Sequence, residues 1–231
     1  MTQFNLSMLL SGQYHAWLVS GFAMSLELSA LAFVFSLPLA IGIALLRLAP
    51  AAPLRALGQV YVESIRNVPL LAHMLFWYFG APQLLPQAVK TWLYERNYEA
   101  ASALIALVLY TVAYMAEDIR SGIRSIPKGQ LEASRALGFG FVASMRLVIL
   151  PQSLRVTVPP LVNQTLNLWK NSSIAMVIGV AELMYQAQQV ESATFRGFES
   201  FAFATAAYLT VSIAITVFSV WYQRRFPVRS V

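Results

Sequence analysis

Asn163, Asn167, Lys170 and Asn171 recur at i, i+4, i+7 and i+8 in a largely apolar stretch. That spacing puts them on one face of a helix, with Gln164 and Thr165 beside it. Amides in a row donate and accept hydrogen bonds along a wet path, and an ammonium meets a carboxylate. Lys170 lies 15 residues beyond Arg155, roughly 22 Å along a helix axis at about 1.5 Å per residue. A lysine at the centre of a membrane helix costs roughly 2.5–3.5 kcal/mol on insertion scales. Two arrangements answer that cost. In one, Lys170 is buried against an acid such as Glu27 or Glu117. In the other, it faces a solute pathway and offers its charge to a carboxylate.

A second group lies in "EASRALGFGFVASMRLVILP", Glu132 to Pro151. The segment carries Glu132, Arg135 and Arg146, too much charge for a membrane crossing, yet "LEASRAL" is built mostly from helix formers. Ala133, Ser134 and Ala136 are small, so another surface could approach the backbone closely. Gly138 stands where a left-handed helix stop needs a residue without a Cβ. Val142, Met145 and Ile149 then recur at helical spacing, which predicts a second short helix with one apolar face. Pro151 is expected to end it and open the next rise. The segment reads equally as a docking element and as an amphipathic anchor for a loop.

The remaining chemistry is sparse. There is no cysteine, and His15 and His73 are far apart with no ligand spacing around them. No serine elbow or histidine cluster suggests catalysis. Glu63 and Arg66 could pair at i, i+3. Pro69 reads as a first-turn proline, and Glu117 and Asp118 read as solvated residues at a helix end.

The elements that must position these groups follow from composition. The 231 residues are 58% hydrophobic and 11% charged, with mean hydropathy +0.61, against about 25% charged in soluble domains. This is a membrane composition. The net charge of +6 need not mean nucleic acid, because basic residues collect in cytoplasmic loops of membrane proteins. The first basic residue is Arg47, which reads as a retained first span rather than a signal peptide. Charge-free runs over 28–46, 67–89, 100–116 and 200–223, and a fifth stretch interrupted only by Lys170, reach about 20 residues with their flanks and predict an all-α protein of five transmembrane helices near 20–46, 62–82, 99–119, 157–181 and 201–223. The Glu132 segment falls between helices three and four, within about 127–150, and the whole chain 1–231 reads as one transmembrane domain. A short interfacial helix is expected around "AVKTWLYERN", and Trp17, Trp92 and Trp221 fit an interfacial belt.

Charge gives the orientation. Loop one, the Glu132 loop and the C-terminal tail hold twelve Lys or Arg residues, whereas the opposite side holds Lys90, Arg96 and Arg196. The first group belongs in the cytoplasm, so the N-terminus is expected outside and the C-terminus inside.

Glu132, Ala133, Ser134, Gly138, Val148, Leu150 and Pro151 are spaced as in the membrane subunits of bacterial ABC importers. Those carry Glu-Ala-Ala, three residues, Gly, nine residues, Ile, any residue, Leu-Pro. Ser134 replaces Ala and Val148 replaces Ile. "RNVPL", "LWKNSSIA", "YVESIRNVPL" and "VPPLVNQTLNLWKNSSIA" resemble the polar amino-acid branch, in particular glutamate/aspartate permeases. The resemblance implies that the Glu132 segment is a coupling helix, seated on a dimer of ABC ATPase subunits. The chain carries no G-x-x-x-x-G-K-[ST] loop, the usual phosphate cradle. The resemblance therefore implies that ATP and Mg are used by the partner, with no cofactor in this chain and no catalysis by it. It also implies a bacterial inner-membrane location among lipids, an extracytoplasmic solute-binding protein, and a second permease chain, identical or related. Nucleic acid is not an expected partner. The rival readings are a stand-alone secondary transporter or channel, and a membrane anchor without a pathway. The first is disfavoured by the lack of repeats, the second by the polar row around Lys170.

Overall fold

The computed structural model describes residues 7–227 and contains helices and no strands among them. The C-terminal Arg229 used in the charge argument lies outside the described residues. After the short α1 (Ser7–Leu10) comes α2 (Gly12–Leu48), which tolerates Pro38 within it. A stripe of Gly21, Ser25, Leu28, Ala32, Ser36, Ala40 and Ala44 is buried along α2. Small side chains let membrane helices approach closely; the stripe from Leu28 onwards shares a core with α6 (Tyr98–Arg124), while Gly21 and Ser25 meet Glu182. Ser36 donates to the Val108 carbonyl at 3.2 Å across that contact.

The predicted second span is not one helix. α3 (Ala52–Arg66) stops at Asn67, and α4 (Leu70–Leu75) starts only after Pro69. A π turn over Phe76–Gly80 and a 3-10 turn over Ala81–Leu84 follow. Pro69 is thus a break inside the segment, because it lacks an N–H and pushes Val68 out of the helical region. His73 lies across the gap, its Nε2 3.1 Å from the Ile65 carbonyl. The broken segment still follows α6. Tyr61 donates to the Leu109 carbonyl at 2.8 Å, and Tyr98 donates to the Tyr78 carbonyl at 2.5 Å. α5 (Gln87–Tyr94) occupies the place expected for the short interfacial helix.

Beyond α6, α7 (Lys128–Ala136) ends at Leu137, and Gly138 has φ +86°. The Phe139 N–H returns to the Ser134 carbonyl at 3.2 Å, closing the helix end as a left-handed glycine stop does. The next helix is not separate from the one that follows. α8 (Phe141–Ser144), a π turn over Met145–Ile149, α9 (Leu150–Asn171) and a 3-10 stretch over Ser172–Ile178 form one helical run. Pro151 therefore does not end a helix. The wider π turn before it accommodates the missing N–H and the bulky ring, as the π turn before Pro82 does. The π turn also changes the helical phase, so Val142 is exposed while Ile149 is buried.

α10 (Leu183–Thr194) has no counterpart in the sequence reading, and α11 (Gly197–Arg225) contains the last predicted span. α10 packs against α2 and α11. Leu9, Leu18, Leu183, Ala187, Val190 and Ala204 form a core separate from the main one between α2, α6 and α9. Four helical runs among the described residues are long and apolar enough to cross a membrane: 12–48, 98–124, 141–178 and 197–225.

Candidate functional site: an open polar face

α9 positions the predicted row. Asn163, Asn167 and Lys170 are exposed in the isolated chain, and Asn171 is half-buried. The opposite side of the same turns is anchored. Trp169 is buried, donates to the Tyr208 carbonyl at 3.1 Å and packs on the Phe22 and Tyr208 rings. Burying Trp169 fixes the rotation of α9 and turns Lys170 outwards.

Lys170 lines a cavity of about 500 Å³ with Leu71, Ile174, Met184 and Tyr208. Among the described residues no carboxylate lies within ion-pair distance of it. Both expected acids are elsewhere. Glu27 is exposed on α2, and Glu117 is held by Arg47 and Arg120. Among the described residues neither of these acids pairs with Lys170.

Asn167 and Asn171 line a second cavity of about 220 Å³ with Tyr110, Thr111, Tyr114 and Gln164. The Tyr110 and Tyr114 hydroxyls lie 3.1 Å apart, and Gln164 donates to Asp118 at 2.8 Å. A third cavity, about 370 Å³, shares Tyr114 and continues past Arg66 and Asn67 to Glu63, Glu117 and Arg47. Glu117 and Asp118 are thus partly buried and engaged by side chains, not simply solvated. Glu63 and Arg66 do not pair: Gln59 donates to Glu63 at 2.7 Å, and the Arg66 guanidinium lies 5.0 Å from the Tyr114 ring centre.

The sequence reading singled out the α9 side of this face, gave Arg66 and Asp118 other places, and did not put Asn67, Tyr110 or Tyr114 on it. A signal was present in part. Tyr110, Tyr114 and Asp118 recur at i, i+4 and i+8, which is again one helix face. Nothing in sequence spacing brings that face to α9. The approach is set by Gly122, where any Cβ would overlap the Thr157 hydroxyl.

The Glu132 group is at the other end of the 141–178 run. Glu132, Ala133, Gly138, Leu150 and Pro151 are exposed. Ser134 is not part of an outward surface. It is buried, and its hydroxyl donates to the Leu131 carbonyl at 2.8 Å. Leu137 and Val142 are exposed beside Gly138. Gln152 on α9 reaches Gln130 on α7 at 3.4 Å. No group of three or more His, Cys, Asp or Glu side chains suited to a metal occurs among the described residues.

Residues 32–228 match the family described as binding-protein-dependent transport system inner membrane component. The chain belongs to this family. It is 38% identical over 221 residues to a probable glutamine ABC transporter permease protein of Bacillus subtilis, covering 96% of this chain and 94% of that one. It is 34% identical over 216 residues to the glutamate/aspartate import permease protein of Escherichia coli K12, covering 92% and 88%. A solved amino acid ABC transporter structure superposes with TM-score 0.85 at 32% identity, covering 97% of this chain and 100% of that one. The permease fold therefore accounts for nearly the whole chain, and its members are membrane components of transport systems rather than enzymes.

Proposed function

We propose that this permease forms the membrane pathway of an ATP-driven importer for a polar amino acid, with glutamate and aspartate the favoured solutes. The observation that carries the reading is Lys170, a cation without an acidic partner among the described residues, on an open face shared with Asn163, Asn167 and Asn171. An anionic solute leaving water needs partners for its carboxylates, and this face supplies a charge and a row of amides. Relatives named for glutamine and for glutamate/aspartate bracket the solute class.

The chain crosses the bacterial inner membrane five times in this reading, the second crossing being α3 and α4 in tandem. Contacts from Tyr61 to Leu109 and from Tyr98 to Tyr78 support it, because they run the broken segment antiparallel to α6. Arg55 and Arg66 lie on α3, inside that second crossing; the remaining basic residues still put the N-terminus outside and the C-terminus inside. The α7 segment, with Glu132, Ala133 and Gly138 facing outwards and Ser134 supporting it from within, then couples the pathway, together with Leu150 and Pro151 on α9, to a dimer of ATPase subunits, which use the ATP and Mg. A second permease chain closes the open face, and an external binding protein delivers the solute.

Reconstitution with the cognate ATPase and binding protein tests the reading: ATP-dependent uptake of glutamate and aspartate is expected to exceed that of basic amino acids. Uptake of none of these solutes would remove the proposed function. A cysteine placed at Ser125 in the cysteine-free chain should resist an impermeant reagent in intact cells, and labelling there would reverse the topology.

A further inference from the structure

Of the three cavities, the second and third share a wall, and the first is lined by the residue that precedes Asn171 in sequence. Lys170 lines the first and Asn171 the second, and Tyr114 walls both the second and the third. The third cavity, about 370 Å³, lies within the range of about 300–1,000 Å³ usual for small-molecule sites. Its charged lining is Arg47, Arg66, Glu63 and Glu117. Arg47 is spent on Glu117, which Arg120 also holds. Glu63 is exposed and takes its hydrogen bond from Gln59. Arg66 alone of these cations has no carboxylate within ion-pair distance among the described residues. Its guanidinium rests over the Tyr114 ring, which orients the planar group while leaving its N–H donors unspent. Asn67 lies next to it, where α3 has ended, and lines the same cavity.

We propose that Arg66, held on Tyr114, binds the α-carboxylate of the transported amino acid in the third cavity. A guanidinium offers two parallel N–H donors to a carboxylate, a match that an ammonium does not make. The solute then has two cationic stations on its route, Lys170 in the first cavity and Arg66 in the third. This rests on the reading that the open face is the pathway. It does not rest on an acidic solute, because every amino acid carries an α-carboxylate.

The chain contains no cysteine, so Asn67→Cys gives a single reporter in the third cavity. The measurement is the rate of N-ethylmaleimide alkylation of Asn67→Cys in the assembled permease–ATPase complex. Excess L-glutamate or L-glutamine should slow alkylation at least severalfold. 4-Aminobutanamide, the glutamine analogue without the α-carboxylate, should not. Adding Arg66→Gln should abolish protection while alkylation without solute persists, and Arg66→Lys should keep part of it. Protection that survives Arg66→Gln, or that 4-aminobutanamide matches, overturns the assignment. So does an absence of protection in a complex that still transports. A complex that transports no amino acid at all instead overturns the pathway reading beneath it. If Arg66→Gln does not accumulate, the comparison of glutamine with 4-aminobutanamide on Asn67→Cys decides the matter alone.

Discussion

Glu182 and Lys170 lie close in sequence, on either side of the Ser172–Ile178 turn, and the fold treats them in opposite ways. Glu182 is fully buried at the start of α10, and both its oxygens are satisfied. It accepts from the Tyr185 N–H at 2.8 Å, the Met184 N–H at 3.0 Å, the Tyr208 hydroxyl at 2.8 Å and the Ser25 hydroxyl at 3.2 Å. Those donors tie α10 to α2 and α11. Lys170 has no ionic partner among the described residues and opens onto a cavity, one wall of which is the same Tyr208. A buried carboxyl group with both oxygens hydrogen-bonded holds helices together. A charge left open on a polar face is available to a ligand. Removing the first should cost stability, and removing the second should cost transport.

The largest effect on stability is expected for Glu182→Ala. It removes a helix cap, worth about 0.5–2 kcal/mol, and strands the Ser25 and Tyr208 donors at about 1–3 kcal/mol each. Yield and melting temperature of the purified complex should both fall sharply. Unchanged melting would show that the cluster is not what fixes α10. Gly122→Ala comes next, because its Cβ must displace Thr157 between α6 and α9. Overpacking of this kind costs about 1–3 kcal/mol, and Thr157→Ala in the same chain should recover part of it, as read by the same melts.

Gly138→Ala should cost less and only locally. A Cβ there meets nothing within 4 Å, but φ is +86°, a conformation that costs an L-residue roughly 1–2 kcal/mol. Melting should barely move while solute-stimulated ATP hydrolysis drops. Wild-type hydrolysis in this variant would argue against coupling through α7. Lys170→Met should leave melting unchanged, the smallest stability effect of the four. Losing a charge-assisted hydrogen bond of about 1.5–3 kcal/mol corresponds to roughly a tenfold to hundredfold loss of glutamate uptake. Uptake at the wild-type rate would remove Lys170 from the pathway. A protein that fails to accumulate would make Lys170 structural after all.

The α9 row could be read directly because periodicity is a property of one helix. Asn163, Asn167, Lys170 and Asn171 share a face whatever surrounds them, and the apolar runs pointed to long helices, α2, α6, α9 and α11 among them, for the same local reason. The glycine stop at Gly138 was equally local, since a left-handed turn is a single-residue requirement. The segment 62–82 deceived because hydropathy does not register a backbone break. Its apolar content was real, but Pro69 interrupts the hydrogen-bond ladder within it.

What composition and local pattern determined alone was the membrane class, the all-helical architecture, the polar row and the turn after α7. Which face looked outwards was a tertiary decision, made by the burial of Trp169 against Phe22 and Tyr208. The partners were tertiary decisions too. Glu117 went to Arg47 and Arg120, Arg66 to the Tyr114 ring, and Ser134 turned inwards. The reason is that an ion pair or a buried hydroxyl depends on helices far apart in sequence meeting at one depth. Spacing within a single helix carries no information about that meeting.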